Sequence, residues 1–333
     1  MKTMIITGAS SGIGRALALR AAQAQFATVL VARNASALEE IERRIHDGGG
    51  LCTSLVADIR DPQSASAIVA TALQRYGSID VVVNNAGIAA SGSLMEQSEE
   101  QLAAQWETHV LGPLRLTREA LPELRKSRGQ IFFFGSGVAR VPTPGLGAYP
   151  AVKAAVRAMT TQMRRELHGS NVAVTYVDPG AVDTPFMQRA GMAGPPQRLM
   201  VSPHVVAQKI LHAVKTRPRA VNAVPWQTLL VAIGELFPQM TDALLASAPQ
   251  LVGTEPVAVH DPTPPQPIAP AAVAIEAPVA AEEIAEELSP FDRALETVSR
   301  RMERVKLKRE FVAELLQPGA ELELGEVAMR WAG

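Results

Sequence analysis

Tyr149 and Lys153 stand four residues apart, the spacing that puts two side chains on one face of a helix. A free tyrosine hydroxyl titrates at about 10, too high for proton exchange at neutral pH. An ammonium beside it favours the phenolate and lowers that value. Such a pair can protonate a carbonyl oxygen or deprotonate an alcohol. Ser136 lies thirteen residues earlier, at the end of a strand-like run, where its hydroxyl can orient a substrate oxygen. By itself Tyr-x-x-x-Lys describes many exposed helix surfaces, so the chemistry depends on what surrounds it.

A second set of residues points to a dinucleotide. Thr7-Gly8-Ala9-Ser10-Ser11-Gly12-Ile13-Gly14 follows the first apolar run and opens a helical stretch. A helix N-terminus at such a turn offers free N–H groups and positive potential to a pyrophosphate, and glycine lets it approach the backbone. Gly8, Ser10, Ser11, Gly12, Ile13 and Gly14 are the candidate contacts. The spacing G-x-x-x-G-x-G is a variant of the common G-x-G-x-x-G fingerprint. Ala32-Arg33-Asn34 ends the second strand-like run. An acidic residue there would take a ribose 2′-hydroxyl, whereas Arg33 suits a 2′-phosphate and points to NADP over NAD.

The elements that must position these residues are legible as an alternation. Short apolar runs rich in Val, Ile and Phe occupy residues 3–7, 28–32, 51–57, 79–84, 130–135, 172–177 and 220–224. Most lack the alternation of a half-wet strand, so both faces are expected to be buried. Helix-period stretches lie between them at 12–24, 35–46, 64–76, 99–127, 150–168 and 203–216. This βαβα rhythm predicts an α/β fold, a doubly wound parallel sheet (Rossmann fold), with ligands beyond the carboxyl ends of the strands. Residues 225–248 read as one or two apolar helices broken at Pro238. They suit a helix packed on the core, a lid over an apolar substrate, or a helix lying in a membrane surface.

Taken in order, the motifs resemble the short-chain dehydrogenase/reductase family, of the Tyr-x-x-x-Lys type. They are the glycine-rich run at 7–14, Asp58, Asn84-Asn85-Ala86-Gly87, Ser136, Tyr149-Pro150-Ala151-Val152-Lys153, and Pro179-Gly180 with Thr184. The resemblance covers residues 1 to about 225. It implies that Ser136, Tyr149 and Lys153 are catalytic and that Lys153 also donates to the nicotinamide ribose. It further implies cofactor contacts at Asp58, Asn85, Ala86, Gly87, Pro179, Gly180, Val182 and Thr184. One position departs from the pattern. His109 stands forty residues before Tyr149, where the family usually has an Asn that helps hold a water linking the Lys to solvent. The histidine keeps the backbone carbonyl. It either relays protons, since it titrates near neutrality, or only packs. Asp178 likewise replaces a frequent Asn.

These readings converge on an NADP(H)-dependent oxidoreductase acting on a carbonyl or alcohol. The loop from 185 to about 201 carries Phe186, Met187, Met192, Leu199 and Met200, which suggests an apolar, adaptable pocket. The alternative is a weakly active nucleotide-binding protein that works through its C-terminal helices. Composition narrows the field. The 333 residues carry 32 basic and 33 acidic side chains, and 47% are hydrophobic. Global disorder is excluded, and nothing biases the chain toward nucleic acid. Six His and one Cys without ligand spacing give no metal site. The lone Cys52 fits a reducing, cytoplasmic compartment, and the absence of an apolar leader or an 18-residue apolar run fits it too.

The charge balance hides an asymmetry. Residues 1–250 have 24 basic and 18 acidic side chains, net +6, while residues 251–333 have 8 and 15, net −7. Three segments are expected: a catalytic domain at 1–248, a disordered linker at 249–289, and an amphipathic helix and tail at 290–333. The linker is marked by nine prolines within 249–290. In the last segment Phe291, Val298, Val305 and Val312 recur every seven residues, with Leu295 and Met302 between them. Ser289-Pro290 opens this helix and Pro318-Gly319 closes it. A homo-oligomer, a protein partner for the tail helix, and peripheral membrane contact are the partners expected beside the small-molecule substrate.

Overall fold

The computed structural model describes residues 1–192 and 195–247. The chain runs β1 (Lys2–Thr7), α1 (Gly12–Gln23), β2 (Phe26–Ala32), α2 (Ala35–Asp47), β3 (Cys52–Val56), α3 (Ser64–Tyr76) and β4 (Val81–Asn84). It continues through α4 (Glu99–Trp106), α5 (Gly112–Ser127), β5 (Gln130–Phe134), α6 (Tyr149–Glu166) and β6 (Ala173–Asp178). The last elements are α7 (Phe186–Arg189), α8 (Pro203–Thr216), β7 (Ala220–Asn222), α9 (Pro225–Leu236) and α10 (Pro238–Ser247). Among the described residues the sheet has seven strands, all parallel, in the order β3-β2-β1-β4-β5-β6-β7. This is the doubly wound Rossmann architecture.

Strand residues alternate between two buried layers, which explains the unbroken apolar runs. Met4, Ile6, Leu30, Phe132 and Val177 pack with α1, α2 and α8. Ile5, Val29, Val31, Val82, Ile131 and Phe133 pack with α3, α5 and α6. The strand order reverses between β1 and β4, so a crevice opens past their carboxyl ends. The glycine-rich turn leaves β1 there, Asn85–Gly87 leaves β4, and Ser136 lies just past β5.

One expectation needs correction, and one alternative is resolved. The stretch 99–127 is not one regular helix: α4 and α5 are joined by a π-helical turn at Glu107–Leu111, with His109 at its middle. The apolar stretch from 225 is two helices. Pro238, which cannot continue α9, takes the first position of α10, and the pair bends by 108°. No single helix among the described residues is long and apolar enough to cross a membrane. Trp226, Leu229, Leu230 and Leu236 on α9 are exposed rather than packed on the core. The predicted linker and tail helix lie outside the described residues.

Candidate active site

Tyr149 is the first residue of α6, and Pro150 behind it suits the first turn because that N–H has no helical partner. One turn on, Lys153 is 4% exposed. Its ammonium donates to the Phe134 carbonyl at the end of β5 (2.8 Å) and lies 5.5 Å from the centre of the Tyr149 ring. Burial drives the Lys153 pKa down to about 7. Ser136 stands close enough to the Tyr149 hydroxyl to act on it. Burial raises the pKa of that phenol well above its usual value, Tyr176 and Asp178 add to the rise, and Ser136 opposes it. This reverses the sequence expectation of a lowered value. Desolvation decides the direction, so the Tyr149 phenol is neutral.

His109 is 3% exposed and makes an edge-on contact with the Tyr149 ring (5.6 Å between centres). Its Nε2 sits 2.6 Å from the Ile88 carbonyl oxygen. Burial, with the Lys153 charge second, holds its pKa well below the ordinary 6.5. A neutral imidazole donating from Nε2 to Ile88 therefore ties the π-helical turn to the loop after β4. The geometry favours the packing alternative over a relay that titrates near pH 7. Gly87 must be small for this, because a Cβ would come 2.9 Å from His109 Cε1.

Helix α1 begins without a side-chain cap. Asn34, Ser98 and Ser202 cap the starts of α2, α4 and α8 with their side chains, but Ser11 makes no such bond at α1. Its first N–H groups are left for another partner. The glycines have a further cause that spacing did not reveal. At Gly8 (φ +66°) a Cβ would lie 2.8 Å from Ala86 Cα, and at Gly14 it would overlap the Gly8 carbonyl. The turn is pressed against the β4 loop, where Asn85 Nδ2 donates to the Thr7 and Gly8 carbonyls (2.9 and 3.2 Å). Ser10 is partly buried, and Ile13 packs on the core layer of α1.

The remaining predicted residues follow the carboxyl ends of β2, β3 and β6. Arg33 follows β2 with its side chain 56% exposed, 3.6 Å from Asp58. Asp58 is held closer by Arg60 (2.8 Å), which helps keep its carboxyl below the usual range although burial pushes the other way. The loop after β6 places Thr184 against Gly12, where a Cβ would meet its methyl at 3.1 Å. Val182 bridges to Val201, and Gly180 donates to Asp178 (3.3 Å). Pro179 stands between these two in the chain.

A family model described as short chain dehydrogenase matches residues 2–193. The chain is a short-chain dehydrogenase/reductase. An uncharacterised oxidoreductase of Staphylococcus epidermidis is 32% identical over 222 residues, covering 66% of this chain and 94% of the relative. An alcohol dehydrogenase from Thermococcus sibiricus, solved with 5-hydroxy-NADP, is 30% identical with a TM-score of 0.61. That match covers 67% of this chain and 94% of the other. A 3-ketoacyl-(acyl-carrier-protein) reductase from Brucella melitensis, solved with NADH, is 26% identical, TM-score 0.60, covering 66% of this chain and 96% of the other. The protein is thus an oxidoreductase whose structural relatives bind nicotinamide cofactors.

Several residues that shape the dehydrogenase/reductase site carried no local signal. Gln97 accepts from the Ala148 N–H (2.9 Å) and donates to the Ala90 carbonyl (2.9 Å), fixing the approach to Tyr149. Gln227 of α9 accepts from the Ala181 N–H (2.8 Å) and donates to the Leu199 carbonyl (3.0 Å), bracing the loop after β6. Arg189 donates to the Ser11 hydroxyl (3.0 Å), latching α7 to the glycine-rich turn. Each acts through a contact far along the chain.

Proposed function

We propose that the protein is an NADP(H)-dependent reductase of small apolar ketones or aldehydes. The observation that carries this reading is the placement of Tyr149 beside Ser136 and one helical turn from buried Lys153, whose ammonium lies 5.5 Å from the phenol ring, with desolvation favouring the neutral phenol. A phenol in its acid form suits donation to a carbonyl oxygen, the direction of reduction. The nicotinamide, when bound, supplies the hydride to the carbonyl carbon, and the proton from Tyr149 completes the alcohol. Ser136 orients the oxygen that receives the proton. Lys153, whose pKa of about 7 lets it give or take a proton near neutrality, recharges Tyr149 and reaches toward the ribose. His109 is the residue that holds the surrounding loop.

Residues that would hold the cofactor are the uncapped start of α1 at Ser10–Gly14 for the pyrophosphate, and Asn85–Gly87, Pro179, Gly180, Val182 and Thr184 around the nicotinamide half. Arg33 supports the 2′-phosphate. The charge of Asp58, which would repel a phosphate, is matched by Arg60 at 2.8 Å and Arg33 at 3.6 Å, and more than half of the Arg33 side chain is exposed after the strand. An apolar substrate is supported by the wall beside Tyr149. Phe186 packs 5.7 Å from its ring, and Leu146, Ala190 and Met192 form a buried cluster with Val138 and Met187. The exposed apolar residues of α9 favour an added docking role for the C-terminal region, compatible with catalysis.

The test is NADPH oxidation across ketones, aldehydes, steroids and acyl substrates, with Tyr149→Phe beside the wild type. Turnover should fall to under about a tenth in the variant while NADPH still binds. Retained turnover would mean that the proton comes from another group.

A further inference from the structure

Ser136 is read above as the residue that orients the substrate oxygen, yet it stands past the last sheet pairing of its strand. The β5–β6 register ends at Phe134 opposite Val177, and a last ladder bond runs from the Gly135 N–H to the Val177 carbonyl (2.7 Å). Beyond that bond another group takes over. Tyr176 of β6 brings its hydroxyl onto the main chain of Ser136. The Ser136 N–H donates to Tyr176 Oη (3.2 Å), and that hydroxyl donates to the Ser136 carbonyl at a longer 3.5 Å. One phenol thus addresses both backbone groups of the residue whose side chain meets Tyr149.

The fit is built from two positions forty-one residues apart. Gly135 has no Cβ, and a Cβ there would run into Cζ and Oη of the Tyr176 ring. Any other residue at 135 would displace the ring, and a shorter side chain at 176 would not reach Ser136. Tyr176 is partly buried, and burial pushes its hydroxyl up to about 12, so it stays a neutral donor and acceptor. Its neighbours Arg140 and Asp178 lie close enough to act on it.

We propose that Tyr176 is a positioning residue for the reaction: its hydroxyl fixes the backbone of Ser136 so that the serine side chain holds the substrate oxygen against Tyr149. The proposal rests on the reductase reading. It differs from that reading in assigning a role to a residue that need not touch substrate or cofactor. Tyr176→Phe keeps the ring in the Gly135 notch and removes one oxygen, so the fold is retained.

The experiment has two arms, both on the full chain. In the first, hydrogen exchange is followed by mass spectrometry on peptides spanning residues 135–139. Tyr176→Phe should speed exchange there and leave other segments unchanged, a readout independent of turnover. In the second, a double-mutant cycle is measured with a carbonyl substrate from the screen. Tyr176→Phe should lower kcat by about tenfold, the weight of one hydrogen bond, with NADPH affinity unchanged. In a Ser136→Ala background the same change should cost nothing further, because the group being positioned is gone. Unchanged exchange at 135–139, or an equal loss in both backgrounds, would overturn the proposal. Wild-type turnover in Ser136→Ala would instead overturn the role of Ser136. A normal Tyr176→Phe beside an impaired Ser136→Ala would overturn only the role of Tyr176.

Discussion

Lys153→Met should make the unliganded protein more stable at neutral pH while abolishing turnover. Lys153 is enclosed, and burial alone takes its pKa from 10.5 to about 7. A drop of about 3.5 pH units at about 1.4 kcal/mol each makes the buried amine a liability of about 5 kcal/mol. Methionine has similar length and no charge. It leaves the Phe134 carbonyl without the donor now at 2.8 Å, which costs about 1–3 kcal/mol. The net expectation is stabilisation by about 2–4 kcal/mol at pH 7. The pH dependence gives a sharper test. The folded pKa is lowered, so between about 7 and 10.5 the unfolded chain binds the extra proton. Wild-type stability therefore rises with pH across that window relative to the variant, and the gap narrows by about 1.4 kcal/mol per pH unit. Below pH 7 the gap is full and constant. Urea unfolding of both proteins at pH 6, 7, 8 and 9, without cofactor, measures it. Groups common to both chains cancel. A variant less stable than wild type at pH 7, or a gap independent of pH, would refute the argument that desolvation sets the state of Lys153.

Four further expectations concern the cofactor, His109 and the C-terminal region. Arg33→Asp should shift preference from NADP toward NAD, because it removes the phosphate partner and adds a repelling charge; equal NADP affinity in both proteins would contradict this. His109→Asn should keep turnover and share the wild-type pH–rate profile between pH 6 and 7, because the imidazole is neutral there; a wild-type titration in that range that the Asn variant lacks would restore a proton relay. His109→Leu should lose about 1–3 kcal/mol in urea unfolding, since the Ile88 carbonyl keeps no partner from the ring. A chain ending at residue 248 should fold, bind NADPH and turn over like the full chain while changing mass in solution or location; loss of cofactor binding would place the remaining residues inside the catalytic unit.

The reversed direction at Tyr149 and the reading of His109 have one origin. Spacing alone put Lys153 beside Tyr149, and opposite charges at that range lower a phenol pKa in water. The folded site desolvates both groups, and the Lys153 ammonium turns one of its three N–H bonds to the Phe134 carbonyl. Desolvation then dominates and the direction reverses. His109 follows the same logic. Its residue type allowed a relay, whereas its burial against Ile88 and Lys153 keeps it neutral. Sequence carries no direct signal for desolvation, because it depends on what closes over a group from other elements.

What the sequence determined by itself is what acts over short separations. The alternation of apolar runs and helical periods specifies strands buried on both faces, and hence a doubly wound sheet. The glycine-rich turn, Asn85–Gly87 and Tyr-x-x-x-Lys are compact motifs whose members lie within a few residues of each other, so their order alone announces the crevice and its chemistry. Tertiary structure decided the rest. The notch at Gly135 that admits Tyr176, the brace from Gln227 to Ala181, and the clasp of Gln97 on Ala148 join residues tens of positions apart. Neither partner has a distinctive residue type or a periodic spacing. Such pairs become visible only when parallel strands set side by side bring their ends to one edge of the sheet, because the hydrogen bonds that hold them depend on distance in space and not along the chain.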